Sequence, residues 1–338
     1  MSFLEQYGDR YSCTELTEAI NNIDSGFGII TKSGLFTGKS IKTTTVSIEY
    51  SEGRLTVLAD RDRDGETVYQ RKRNRKPITF NMPFFPYSKP IKASDVQDIR
   101  KFGTTDELES IDSVIEEYQT DARYNHDVTL EFMEIGALLG KVMDGEGNVI
   151  ADLYKKFDVA QPTATFNWGK STFDLPATCR SILRMIKKGM RGDVYTGVEA
   201  KCSPTFWDNL MADENFQKAY QFYLQSNPMR DDVRDGFSYM GIVWSEYSVS
   251  ASKPNGDELE FIPDGEAVFY PVGSKNTFRY FKAPGDFIEA ANTMGIDMYS
   301  KIWENPNGRG MTLETQSSRL PINMRPLAVV KGVKGANS

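Results

Sequence analysis

One histidine, three cysteines and a large surplus of carboxylates are the residues from which catalysis or ligation would have to be built in this chain. His126 stands beside Asp127 inside a long helical pattern. A Ser-His or Cys-His couple would therefore need a residue in the middle of a helix, and a structural histidine is the expected role. Cys13, Cys179 and Cys202 are too widely spaced for a disulfide framework or a zinc site and are expected as reduced thiols in packed surroundings. Asp144-Gly145-Glu146-Gly147-Asn148 begins like a calcium loop but lacks the D-x-[DN]-x-[DN]-G spacing and the distant glutamate, so a tight hairpin turn is expected. The glycine loops that cradle phosphates, GxGxxG and GxxxxGK[ST], are absent. No carboxylate pair stands out among so many acids. The expectation is a chain that is not an enzyme, with no catalytic residue, cofactor or metal.

Two charge runs are the residues left to explain. From Asp60 to Lys76 most positions are charged, and five of the six residues from Arg71 to Lys76 are basic: Arg71, Lys72, Arg73, Arg75 and Lys76. Such a stretch is too polar to make its own core and reads as a projecting loop. The second run is acidic. Asp106, Glu107, Glu109, Asp112, Glu116, Glu117 and Asp121 all precede Arg123, the first basic residue of their helix. Only the first turn of that series is favoured by the helix dipole; the rest repel one another unless something basic lies against them. Docking of the basic loop on the acidic face of a neighbouring copy, with Glu107, Glu109, Asp112, Glu116 and Glu117 as the receiving groups, answers both runs at once. Each exposed pair would contribute about 0.2–1 kcal/mol, so the contact sets register rather than strength. Nucleic-acid binding is the weaker alternative, because the cluster has only Tyr69 beside it and sits in a chain of net charge −7.

The element that carries the acidic run organises the rest. Apolar or small residues at Leu108, Ile111, Ile115, Tyr118, Ala122, Thr129, Phe132, Gly136 and Leu139 keep one helical stripe, broken only by Asn125. Thr104 and Glu107 form a capping box, and a helix over 104–139 would run roughly 50 Å. Before it lie a polar, glycine-punctuated stretch to residue 42, with a short helix capped at Ser12 or Thr14; a hairpin pairing 43–50 with 55–58; and a proline-rich aromatic strap over 77–100. After it come a hairpin around 144–148, a helix capped by Asp174 and ended by Gly189, and a helix opened by Ser203-Pro204. That last helix carries the stripe Phe206, Trp207, Leu210, Phe216, Ala219, Tyr220 and Tyr223. Strands follow at 239–249 and 267–272. The order of elements indicates an α+β fold with a mostly antiparallel sheet.

At 338 residues, with 26% charged and 39% hydrophobic residues, the chain has the composition of a soluble globular protein of about two domains. No apolar run approaches 18 residues and MSFLEQYGDRY has no signal-peptide pattern, so no membrane partner or secretion is expected.

Three blocks in this order, Arg71 to Arg100 leading into the long helix, FIPDGEAVFYPVG (261–273) and NGRGMTLETQSSRLPINMRPLAVVKG (307–332), resemble the lambda-type major capsid protein E family of tailed phages. The resemblance implies the HK97-like capsid fold. It would divide the chain into an N-terminal arm (1–42), an E-loop (43–82), a peripheral domain (83–170 and 310–338) built on the spine helix 104–139, and an axial domain (171–309). The strands 311–313 and 327–330 would complete the peripheral sheet. It also implies self-assembly into hexamers and pentamers of an icosahedral shell around double-stranded DNA, without sequence-specific DNA binding. Scaffold, portal and decoration proteins would be further partners, and the virion capsid, assembled in host cytoplasm, the location. An encapsulin-like nanocompartment shell shares the fold and is the second reading.

Overall fold

The computed structural model describes residues 11–51, 75–95, 111–226, 236–253, 255–306 and 308–335. Helices and sheets are interleaved along the chain, giving an α+β fold. The chain divides into two compact units. One comprises Met1–Val46, Asn81–Glu134 and Arg279–Ile322; the other comprises Ser47–Phe80, Ile135–Phe278 and Asn323–Ser338.

The first unit holds the helix Cys13–Asn22, begun by Ser12, one of the two expected caps, whose hydroxyl accepts from the Glu15 N–H at 3.2 Å. Its inner face buries Leu16, Thr17 and Ile20. Thr17 Oγ1 donates to the Ser300 carbonyl and accepts from the Ser300 N–H, tying the helix to strand Tyr299–Glu304. That strand pairs antiparallel with Gly310–Ser317, which pairs antiparallel with Phe85–Lys92. The proline-rich strap thus becomes an edge strand. Pro86 and Pro90 lack the N–H a central strand would need, and an edge is where a sheet tolerates them. A second small sheet runs Thr37–Ser40, Phe278–Lys282, Arg319–Asn323, the first pair parallel.

The spine helix is described from Ile111 to Leu139, a length of about 44 Å at 1.5 Å per residue. It stops where the sequence reading puts its end: Gly140 follows with φ +95°, and a Cβ there would lie 2.0 Å from the Tyr154 ring. Its start, with the Thr104 cap, lies outside the described residues. The buried face differs from the expected stripe. Val114, Ile115, Gln119, Ala122, His126, Asp127 and Leu130 are buried, whereas Tyr118 and Thr129 are half-buried and Asn125 is exposed. From Leu130 to Leu138 every residue is buried.

The second unit is built on a six-stranded sheet in the spatial order Thr163–Phe166, Val330–Lys334, Glu266–Val272, Gly197–Cys202, Ile242–Glu246, Phe237–Tyr239. Three of its pairings are antiparallel and two are parallel. The strands expected to share one sheet are therefore separated: Gly310–Ser317 belongs to the first unit. The chain at 327 passes through a turn of 3₁₀ helix, Pro326–Ala328, into strand Val330–Lys334 of the second.

Helix Leu175–Met190 packs Leu175, Cys179, Ile182 and Ile186 into the same core as Phe166, Phe206, Phe216, Trp244 and Phe269. Each such large apolar side chain contributes about 1.5–3 kcal/mol on burial. Asp174 caps the helix by accepting from the Ala177 N–H at 3.0 Å, as expected. Gly189 is not its stop signal. The left-handed residue is Arg191, at φ 50°, and Gly189 is a point of close approach, where a Cβ would lie 2.0 Å from the Leu327 carbonyl oxygen. The aromatic stripe from Phe206 to Tyr223 is core, but on two helices, Pro204–Met211 and Glu214–Ser226, because Asp213 accepts from the N–H groups of Asn215 and Phe216 and starts the second.

Strand Thr45–Ser51 pairs with Arg75–Asn81. The return strand expected at 55–58 lies outside the described residues. The hairpin Lys141–Met143 with Val149–Asp152 forms as expected, and Asp144 closes its turn by accepting from the N–H groups of Glu146 and Asn148, both at 2.9 Å.

Candidate assembly surfaces and a buried polar cluster

Of the basic residues expected to dock, Arg71, Lys72 and Arg73 lie outside the described residues. Arg75 and Lys76 begin the strand Arg75–Asn81. Of the acidic set, Glu107 and Glu109 also lie outside. Glu116 and Glu117 are exposed on the spine helix, and Asp112 accepts a hydrogen bond from the Tyr11 hydroxyl. Part of the acidic face is answered from its own unit. The Lys89 ammonium, on edge strand Phe85–Lys92, sits 3.5 Å from Asp121 and 3.6 Å from the Tyr118 ring centroid, an ion pair with a cation-π contact.

The opposite side of the same helix carries what the apolar stripe hid. Asp127 accepts from Arg123 Nε and Ser25 Oγ, both at 2.8 Å, and pairs with Arg319 Nη1 at 3.3 Å. Arg319 also donates to the His126 carbonyl and to Ser317 Oγ, each at 2.9 Å. His126 is buried, with Nε2 3.2 Å from Thr315 Oγ1 and its ring edge-on to Tyr87. Burial, reinforced by the Arg319 guanidinium, drops its pKa to about 3, so the ring is neutral at ordinary pH. It faces a threonine within a sealed layer, a packing role rather than that of a base.

One turn on, Glu131 accepts from the N–H groups of Ile29, Ile30 and Thr31 at 3.1, 2.8 and 2.9 Å and from Thr31 Oγ1 at 3.0 Å. Thr31 Oγ1 lies 2.7 Å from Glu134 Oε2. Burial pushes the Glu134 carboxyl up to about 8, with the neighbouring Glu131 carboxylate adding to the shift. These helix residues were missed because charged types were assigned to the solvent side. The signal was the i, i+4 series Arg123, Asp127, Glu131, which falls on one face.

The cysteines are free thiols: Cys179 and Cys202 are buried and Cys13 half-buried. Burial pushes Cys179 up to about 12, which leaves it inert. No group of three or more metal-binding side chains occurs among the described residues. A hollow of about 500 Å³ in the first unit is lined by Cys13, Thr17, Asn21, Lys282, Asp297 and Tyr299 among others. Of its charged lining, Lys282 pairs with Asp297 and Glu289 pairs with Lys301, both at 2.6 Å.

Comparison with known proteins agrees with this architecture. The family model for phage major capsid protein E matches residues 12–334. The chain is 27% identical to the major capsid protein of Pseudomonas phage KPP10 over 96% of its own length and 97% of that protein. It is 26% identical to that of Salmonella phage Felix O1 over 95% of each. Among solved structures, a prophage capsid protein of E. coli CFT073 superposes with a TM-score of 0.59 at 14% identity, covering 96% of this chain and 99% of that one. The mature capsid subunit of bacteriophage PhiM1 gives 0.53 at 14%, covering 94% and 91%. These likenesses establish the fold as the HK97-like capsid fold. With the family model spanning nearly the whole sequence, the chain belongs to the phage major capsid protein E family.

Proposed function

We propose that this chain is the major head protein of a tailed phage, assembling with copies of itself into hexamers and pentamers of a closed icosahedral shell around double-stranded DNA. The observation that carries the reading is congruence over full length: two phage major capsid proteins align with at least 95% of this chain and of themselves. The family match favours a phage head over an encapsulin-like nanocompartment.

In this reading residues 1–42 are the arm, 43–82 the E-loop, 83–170 and 310–338 the peripheral domain, and 171–309 the axial domain. The basic tip around Arg71–Lys76 lies on the acidic spine face of a neighbouring copy, at Glu107, Glu109, Asp112, Glu116 and Glu117. Exposure of Glu116 and Glu117 supports this, and the pair formed by Lys89 with Asp121 marks where a cation from the chain's own unit already answers that face. Many weak contacts repeated over a shell let misplaced subunits leave and correct subunits stay. A net charge of −7 keeps the wall from gripping the genome. Scaffold and portal proteins would set size and the unique vertex, and assembly would take place in host cytoplasm. Sedimentation of the chain produced with its neighbouring head genes tests the reading: fast-sedimenting particles of uniform size are expected, and subunits that stay monomeric at every salt concentration would refute it.

A further inference from the structure

With both glutamates ionised, the cluster around Thr31 would contain one proton fewer than its geometry needs. Thr31 has a single hydroxyl proton, yet its oxygen lies 3.0 Å from Glu131 Oε2 and 2.7 Å from Glu134 Oε2. Both glutamates are essentially inaccessible to solvent, at 0% and 1% exposure. If each of the two oxygens were a bare acceptor, one close contact would be anion against lone pair. The contacts close when Glu134 carries a proton and donates it to Thr31 Oγ1, while Thr31 donates its own to Glu131. Glu131 then holds the arm through the N–H groups of Ile29, Ile30 and Thr31.

We infer that the relay Glu134 to Thr31 to Glu131 is a proton-operated latch holding arm residues 29–33 to the spine helix, tight while Glu134 keeps its proton and looser once that proton leaves. The charged and titratable groups that face Glu134 are Glu131 and Asp127 on its own helix and Arg319 from the strand Arg319–Asn323. The Arg319 charge favours an ionised Glu134, but its hydrogen bonds run to Asp127, Ser317 and the His126 carbonyl, and burial outweighs that attraction. From the arm side comes Thr31, while Lys32 turns to Asp24 at 3.5 Å, about half-exposed. Opening the latch returns Glu134 to water and to an ordinary carboxyl affinity, so opening releases a proton. Between pH 4.5 and pH 8 each unit of pH therefore raises the opened fraction up to tenfold, and above about pH 8 the effect levels off. The arm gains an acid–base control that the shell reading does not require.

Peptide-resolved hydrogen exchange on the purified chain tests this, following residues 24–36 from pH 5 to pH 9 and correcting for intrinsic exchange rates. Wild-type protection in that peptide is expected to fall severalfold to tenfold per pH unit up to about pH 8 and then stop falling. Glu134→Gln, whose amide donates to Thr31 without titrating, is expected to hold protection constant. Constant protection in the wild type overturns the proposal, as does an equal fall in wild type and Glu134→Gln. Should the variant not fold, the wild-type series alone decides, and it reads the same whether or not the chain assembles.

Discussion

Arg319 and Asp127 meet at 3.3 Å where their side chains are 3% and 9% exposed, bringing the strand Arg319–Asn323 against the middle of the spine helix. The contact is charged on both sides, and Arg319 also binds the His126 carbonyl. Arg319→Leu would leave that carbonyl without this donor and remove one of three partners of Asp127. A loss of about 3–5 kcal/mol is expected, the range for breaking a buried pair from one side. Denaturant unfolding checks it; a loss below 1 kcal/mol would mean the surroundings rearrange.

His126 and Glu134 act on stability with opposite signs. His126 falls from 6.5 to about 3 on folding, so between those values the unfolded chain binds the extra proton and stability rises with pH. Glu134 rises from 4.5 to about 8, so between those values the folded chain binds the extra proton and stability falls with pH. Their sum climbs from pH 3 to 4.5, is level to 6.5, and declines to pH 8, each slope limited to about 1.4 kcal/mol per pH unit. In Glu134→Gln the decline above pH 6.5 should vanish. Unfolding free energies measured at unit pH intervals check both limbs.

Helix propensity and packing disagree at Gly189. Alanine favours a helix interior over glycine by about 1 kcal/mol. A Cβ at this position, however, would lie 2.0 Å from the Leu327 carbonyl oxygen, and that atom belongs to backbone that cannot step aside alone. Gly189→Ala should therefore destabilise, by about 1–3 kcal/mol. Thermal melting gives the sign directly.

The same competition explains how much of the fold was legible. Caps at Ser12, Asp174 and Ser203 depend on residues three apart and could be read from the chain alone. Proline ruled out a central strand or helix for the strap 77–100 because a missing N–H is a local fact, whereas its place at a sheet edge over 85–92 came only with the structure. The spine could be read in its type and its end, but its rotation could not. Gln119, His126, Asp127, Glu131 and Glu134 are buried through partners that lie from about 100 to 193 residues away in sequence, such as Thr31 and Arg319. A stripe counted on apolar residues alone turns that face outward. Gly189 looked like a stop because the Leu327 carbonyl that crowds it comes from a distant segment. The basic run Arg71–Lys76 and the acids Glu107 and Glu109 were prominent in the sequence, and the docking role proposed for them is an assembly property, outside any single chain.

Reversing Arg71, Arg73 and Arg75 to glutamate should abolish shell formation while leaving the far-ultraviolet circular dichroism of the subunit unchanged. Loop-to-spine attraction becomes repulsion, and the effect should weaken as salt rises. Shells forming normally from this variant would remove the docking step from the account.

Electron microscopy of particles from the chain produced with its neighbouring head genes bears most directly on the central claim. Closed icosahedral shells of uniform size, with this chain as the repeating subunit in hexamers and pentamers, are the predicted result. A chain that stays monomeric under every condition tried, or forms only open and irregular aggregates, would contradict it.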